Sequence, residues 1–157
     1  MLTDSAGESF NLKTDTRARL TLVFFGYTHC PDVCPTTVAD VTAALRRVPP
    51  EVRDQVQFIF ITTDPARDTP EVLREYLDRF DDSHVGLTGS LATIEQVARR
   101  LGVPLTGKKK LPSGGYEVGH GSQVIAFGSD DRARMLWLGG TSVGDYQHDI
   151  TKLVRTG

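Results

Sequence analysis

Apolar runs alternate with amphipathic stretches along nearly the whole chain, and the alternation predicts an α/β domain. Leu20-Thr21-Leu22-Val23-Phe24-Phe25-Gly26 is an almost unbroken apolar run of strand length. It predicts a strand buried on both faces. Val56-Gln57-Phe58-Ile59-Phe60-Ile61-Thr62 predicts a second core strand, and residues 85–88 a short third. Between them the period changes. Val38, Val41, Ala44, Leu45 and Val48 fall on one stripe of a helix over residues 35–48. Pro35 suits the first turn of that helix, where a missing N–H costs nothing, and Pro49-Pro50 ends it. Thr69-Pro70-Glu71-Val72 supplies a cap, a proline at the first helical position and an acid in the first turn. That helix is expected over residues 70–80. Ser90 caps a helix over 90–101, which Gly102 stops. Residues 106–115 form a polar Gly/Lys/Pro loop. Strands over 123–127 and 133–138 flank the turn Gly128-Ser129-Asp130-Asp131 as a hairpin, and residues 142–154 form a closing helix.

The order β-α-β-α-β-α-β-β-α is that of a thioredoxin-like fold: a central mixed β-sheet flanked by helices, with an extra N-terminal segment and a β-hairpin near the C-terminus. At 157 residues the expectation is one domain with a substantial core, covering 1–157. There is no internal repeat. The 18 basic and 20 acidic residues give a net charge of −2, which favours neither nucleic acid nor an anionic membrane surface. No run approaches the roughly 18 apolar residues of a spanning helix. Met1-Leu2-Thr3-Asp4-Ser5 has neither the basic nor the apolar region of a signal peptide. The expectation is an excised soluble domain without its membrane tether.

The chain has two cysteines, and both lie in Thr28-His29-Cys30-Pro31-Asp32-Val33-Cys34-Pro35, directly after the first core strand. Two thiols at the mouth of a buried strand, where a helix begins, suit a soft metal, disulfide exchange, or both. Cys-x-x-x-Cys differs from the Cys-x-x-Cys of thioredoxins. On a helix, residues i and i+4 share a face with a rise of about 6 Å, near the upper end of the roughly 4.4–6.8 Å Cα separation a disulfide tolerates. The helix N-terminus favours thiolate, and Asp32 works against it. Thiolate is the form that binds metal and the form that attacks disulfides.

The stretch from Leu22 through Thr28-His29-Cys30-Pro31-Asp32-Val33-Cys34-Pro35 resembles the signature of the Sco/SenC family, copper-binding thioredoxin-like proteins that assist cytochrome c oxidase assembly. Two further stretches resemble it: Thr63-Asp64-Pro65-Ala66-Arg67-Asp68-Thr69-Pro70, followed by Tyr76, Phe80 and Gly86-Leu87-Thr88-Gly89; and Tyr116-Glu117-Val118-Gly119-His120-Gly121-Ser122. Together they cover residues 5–153. The resemblance implies one copper per monomer, Cu(I) or Cu(II), held by Cys30, Cys34 and His120. Thiolates suit Cu(I), and imidazole suits both oxidation states. Asp64, Asp32 and His29 are then residues around the site or for docking. The family commonly has an acid just before this histidine and a serine just after. Here Gly119 and Gly121 stand there, with Ser122 one step later.

The resemblance further implies a metallochaperone that delivers copper to the dinuclear copper site of cytochrome c oxidase subunit II. Another copper chaperone would be the donor, and a thioredoxin-like protein the reductant. The alternative within the family is a thiol–disulfide oxidoreductase that reduces the cysteines of that same site, with the redox pair Cys30 and Cys34, or a copper or redox sensor. The Cys-x-x-x-Cys spacing favours copper, as does the lack of a proline just before Gln123, where thioredoxins place one. A peroxiredoxin-like peroxidase is disfavoured by Tyr27 standing three before Cys30, and a closed zinc site lacks an evident fourth ligand. The implied location is extracytoplasmic and membrane-tethered: the periplasm or outer face of the bacterial cell membrane, or the mitochondrial inner membrane facing the intermembrane space.

Other residues have local readings. Asp64 follows a core strand and lies at the cysteines' edge of the sheet if the strands are parallel. Arg67 and Asp68 are expected to pair or cap locally. His84 and His148 are expected at the surface, and His29 in a partly exposed loop. Tyr27 and Tyr116 are candidates for flanking the site, with packing at the core or rim the alternative for both. Met135 and Trp137 are expected in the core or on a sheet face, with a methionine ligand the alternative, and Lys108-Lys109-Lys110 as a solvated loop tip, with a docking patch for an acidic protein the alternative.

Overall fold

The computed structural model describes residues 1–16, 18–30, 33–103, 105, 111–112, 114–116 and 123–156. Three parallel strands form the centre of the sheet: β3 (Leu20–Gly26), β4 (Val56–Thr62) and β5 (Val85–Thr88). Their bounds are those of the apolar runs. β1 (Leu2–Asp4) and β2 (Ser9–Phe10) make a small hairpin on the outer side of β5, and β6 (Val124–Gly128) and β7 (Ala133–Trp137) a larger one on the outer side of β3. The order is β2-β1-β5-β4-β3-β6-β7 in one mixed sheet. The N-terminal hairpin is not legible in the sequence pattern. The hairpin β6–β7 is as expected, with a register irregularity between Ala126 and Phe127.

The pleat sorts the core into two layers. Leu20, Leu22, Phe24, Phe58 and Phe60 point to one face. There they meet Val38, Val41, Ala44 and Leu45 of α1 (Val33–Arg47), Leu73, Tyr76 and Leu77 of α3 (Pro70–Asp78), and Tyr146, Ile150 and Val154 of α5 (Val143–Thr156). Val23, Phe25, Ile59, Ile61 and Leu87 point to the other, against Ile94 and Ala98 of α4 (Leu91–Arg100), with Leu2 and Phe10 of the N-terminal hairpin. All seven residues of β3 are buried, as expected of a strand covered on both faces.

The caps are where the sequence predicts them. Thr69 Oγ1 accepts the Val72 N–H at 3.3 Å, and Ser90 Oγ accepts the Thr93 N–H at 3.2 Å. α1 starts two residues earlier than expected, so Cys34 is already helical. Pro50 starts the short α2 (Pro50–Arg53), so Pro49-Pro50 is a junction between two helices. Trp137 stacks on Tyr146 at 5.2 Å and donates Nε1–H to Asp149 at 2.9 Å, tying β7 to α5. Met135 packs against the first core layer. Both keep the structural roles expected of them. Among the described residues no helix is long and apolar enough to cross a membrane.

Candidate metal centre

The parallel pairing Gly26↔Thr62 brings the ends of β3 and β4 side by side. The segments that follow them, with Cys30 on one and Asp64 on the other, therefore share the C-terminal edge of the sheet, where open α/β sheets bind ligands. β6 runs antiparallel to β3, with Val124 opposite Phe24, so the chain enters β6 from that same edge. His120 and Asp32, two of the residues singled out in the sequence, lie outside the described residues, as does Lys108-Lys109-Lys110.

The two sulfurs are brought together. After β3 the chain turns sharply, with Cys30 N–H donating to the Tyr27 carbonyl at 3.2 Å. One turn later Cys34 N–H donates to Cys30 Sγ at 3.4 Å, so the sulfur takes one of the N–H groups a helix start leaves unpartnered. The Cys34 thiol also donates to the Cys30 sulfur, and the Cys34 sulfur accepts the Tyr27 backbone N–H. Cys30 is 8% exposed and Cys34 fully buried. They are thiols, not a disulfide.

Cys34 corrects one expectation. A helix N-terminus favours thiolate, yet the Cys34 thiol is pushed up. The first cause is the hydrogen bond it gives to Cys30, and burial adds to it, against the Tyr27 N–H. A metal binding both sulfurs must therefore displace a proton that is held in place. Gly26 makes room for this thiol. A Cβ there would stand 2.9 Å from Cys34 Sγ and 2.9 Å from the Phe24 ring.

Beneath the cysteine turn sits a carboxylate that the sequence reading misplaced. Asp68 does not pair with Arg67. It is fully buried and accepts the Thr28 N–H at 2.9 Å, the Thr28 hydroxyl, and the Thr62 hydroxyl at 2.7 Å. It thereby fastens the start of the cysteine turn to the end of β4. Arg67 pairs instead with Asp64, Nε to Oδ2 at 2.6 Å. Asp64 is also fully buried and accepts through its backbone turn the Asp68 N–H. Thr28 and Asp68 lie 40 residues apart, and nothing in their local sequence announces the contact. His29 is exposed, as expected, with Nδ1 4.0 Å from Asp68 Oδ1.

The segment before His120 is held at the same edge. Tyr116 N–H donates to the Thr63 carbonyl at 2.9 Å, and the Thr63 hydroxyl donates to the Tyr116 carbonyl at 2.7 Å. Gly115 permits this contact: a Cβ would stand 2.5 Å from the Thr63 carbonyl oxygen and 2.7 Å from Asp64 Cα. Tyr116 packs on the second core layer at the rim, and Tyr27 is buried beside the cysteines. Among the described residues no three His, Cys, Asp or Glu side chains form a metal-binding group.

The SCO1/SenC family model matches residues 1–155. The chain belongs to the SCO1/SenC family. Family members are copper-binding proteins of cytochrome c oxidase assembly. A Stutzerimonas stutzeri protein named for copper binding is 35% identical over 133 residues, 85% of this chain and 64% of its own length. The mitochondrial SCO2 protein of Saccharomyces cerevisiae is 33% identical over 120 residues, 76% of this chain and 40% of its own. The chain thus spans about two-fifths to two-thirds of these curated relatives. The solved structure of ScoI from Bradyrhizobium japonicum with copper bound superposes with a TM-score of 0.80 at 33% identity, covering 97% of this chain and 95% of that one. The thioredoxin-like fold expected from the element order is the fold of these SCO1/SenC structures.

Proposed function

We propose that this protein is a copper carrier that binds one copper ion through Cys30, Cys34 and His120 and passes it to the dinuclear copper site of cytochrome c oxidase subunit II. One observation supports it above the others. The fold converges two sulfurs, one fully buried, at the ligand-binding edge of the sheet in a SCO1/SenC chain. The donor set fits the cargo. Thiolates are soft ligands suited to Cu(I), and an imidazole serves either oxidation state. The residues flanking His120 support its part, since Tyr116 is fixed to Thr63 and Val124 lies opposite Phe24. Asp68 holds the cysteine turn, and Asp64 lies against the Gly115 segment. A membrane-tethered, extracytoplasmic setting accords with the mitochondrial name of the yeast relative.

The contact between the two sulfurs favours a second reading, a thiol–disulfide reductase. Cys30 as thiolate would attack one sulfur of a disulfide in the oxidase subunit, and Cys34 would then release the mixed disulfide, leaving Cys30–Cys34 oxidised and two thiols on the partner.

The deciding experiment is an anaerobic titration of the reduced protein with Cu(I) against a competing chelator, and separately with Cu(II), for wild type and His120→Ala. One tight equivalent, weakened at least tenfold in the variant, is expected. Tight Cu(I) binding unchanged in the variant would remove His120 from the ligand set. No tight binding of either ion would overturn the carrier reading in favour of disulfide exchange.

A further inference from the structure

The two faces of the sheet are covered unequally. α1, α3 and α5 pack on the first core layer, and α4 packs on the second. A cleft of about 460 Å³ opens on that second face, over Thr21 and Val23 in the first half of β3. Phe10, Leu12, Val23, Val97, Leu101 and Phe127 of the second layer line it. Its size lies within the roughly 300–1,000 Å³ of small-ligand sites, which set a few polar groups in apolar walls. The segment carrying Leu12 is braced from within. Asn11 N–H donates to the Asp15 carboxylate at 2.7 Å, Asp15 N–H to the Asn11 carbonyl at 2.8 Å, and the Thr16 hydroxyl to the Leu12 carbonyl at 2.7 Å. Thr21 stands in the row of β3 that continues with Val23 and Phe25. It is 6% exposed, and its hydroxyl has no hydrogen-bond partner among the described residues. Valine would fill the same space without a polar atom to satisfy. The charged side chains lining the cleft are Lys13, Arg100 and Asp131. All three are exposed, and none is in an ion pair among the described residues.

We propose that this cleft is a binding site for a small apolar monocarboxylate, of the chemistry of a medium-chain fatty acid. Its apolar body lies against Phe10, Val97, Leu101 and Phe127. Its carboxylate accepts the Thr21 hydroxyl, which gains the partner it lacks. Lys13 and Arg100 outweigh Asp131, so the cleft favours an anion over a cation of the same length. A hydrogen bond to a charged group is stronger than one between neutral groups. The exposed cations add modestly, and salt screens them. The lining residues include neither cysteine and neither Asp64 nor Asp68. The site is therefore a second one, independent of the copper reading.

The test is calorimetric titration of the reduced, metal-free protein with decanoate, held below the concentration at which it forms micelles. Decyltrimethylammonium serves as the cation of equal chain length. One saturable site is expected for decanoate, with the cation at least tenfold weaker. Thr21→Val is expected to weaken decanoate about tenfold, the scale of a hydrogen bond to a charged group. Its urea unfolding should show it as stable as wild type or more so. Arg100→Glu changes an exposed side chain, and is expected to fold normally and to weaken decanoate about fivefold at low salt. Both variants should keep the copper affinity of wild type. Absence of a saturable decanoate site would overturn the proposal, as would equal binding of the cation, which would leave an apolar surface without a choice of charge. A destabilised Thr21→Val would show that the hydroxyl already has a partner, and unchanged decanoate affinity in that variant would remove it from the site. Either result overturns the proposal. So would binding to phosphatidylcholine–phosphatidylglycerol vesicles without binding to monomeric decanoate, which would make this face a membrane contact.

Discussion

A carboxylate without exposed surface needs donors, and Asp68 takes them from two segments. The Thr28 N–H and hydroxyl reach it from the cysteine turn, and the Thr62 hydroxyl from the end of β4. Hydrogen bonds to a buried charge are the strong kind. Their removal leaves donors that point into a buried position unpaired. Asp68→Asn keeps the shape but loses the charge and turns an NH₂ group toward a donor. It should destabilise the reduced protein by about 2–3 kcal/mol, read by urea unfolding. Amide exchange at Thr28 should rise more than the global loss accounts for. If Thr28 exchange tracks global stability alone, Asp68 serves the core and not the turn. Asp64 makes a useful contrast. Arg67 is partly exposed, so this pair is closer to solvent than the Asp68 cluster, and its loss should cost less.

At the scale of elements, the meeting of the β4 end with the segment before β6 decides how the site is closed. Gly115 lies against the Thr63 carbonyl and Asp64 Cα at distances no side chain tolerates. Both obstacles are main-chain atoms or fixed to them, so they cannot swing aside. Gly115→Ala should break the paired contacts between Thr63 and Tyr116. It should cost about 1–3 kcal/mol, the scale of forced overpacking. It should also weaken copper binding while leaving the two cysteines in place. Equal copper affinity in a folded Gly115→Ala variant would show that the segment leading to His120 has no part in holding metal. The sequence was legible wherever one element carried its own signal. β3, β4 and β5 are buried runs bounded by turn residues, and their limits match the pattern residue for residue. Thr69 and Ser90 announce their helices because a cap is a local event. The hairpin β1–β2 was not legible, because Leu2 and Phe10 are its main buried side chains and its pairing with β5 spans some eighty residues of sequence. The same reason hid Asp68. Its carboxylate looks like half of a local pair with Arg67, and only the parallel register of β3 and β4 brings Thr28 to it. The cysteines were legible as a pair, but not which of them would keep its proton, since that depends on burial and on the Tyr27 turn.

The molecule as a whole has a pH dependence that starts from a histidine the sequence pattern places at the surface. His84 is instead 2% exposed, between α1 and the sheet, with its ring edge-on to Phe58 at 4.8 Å. Its Nε2 lies 2.8 Å from Thr42 Oγ1. The Thr42 hydroxyl already donates to the Val38 carbonyl at 2.6 Å, so Nε2 must bear the hydrogen of this contact. Burial lowers its pKa to about 4, with Arg74, Arg53 and Arg46 assisting and Asp81 opposing. The unfolded chain titrates at the ordinary value of 6.5. Above that pH both states are neutral, and His84 adds no slope. Between 6.5 and about 4 the unfolded state binds a proton that the folded state refuses, so stability falls as the pH falls. The slope approaches about 1.4 kcal/mol per pH unit and the loss reaches roughly 3 kcal/mol near the lower limit. Asp81 is lowered: burial pushes it up, but hydrogen bonds from Ser83 and the nearby cations outweigh this. Its contribution has the same sign but begins below the ordinary carboxylate value of 3.8, so it does not share the His84 window. Urea unfolding of the reduced, metal-free protein from pH 7 down to pH 4.5 should show this slope. His84→Gln keeps a donor for Thr42 and cannot charge, so it should be less stable at neutral pH but nearly flat across the window. Parallel curves for the two proteins would mean that another group sets the acid limit of the fold.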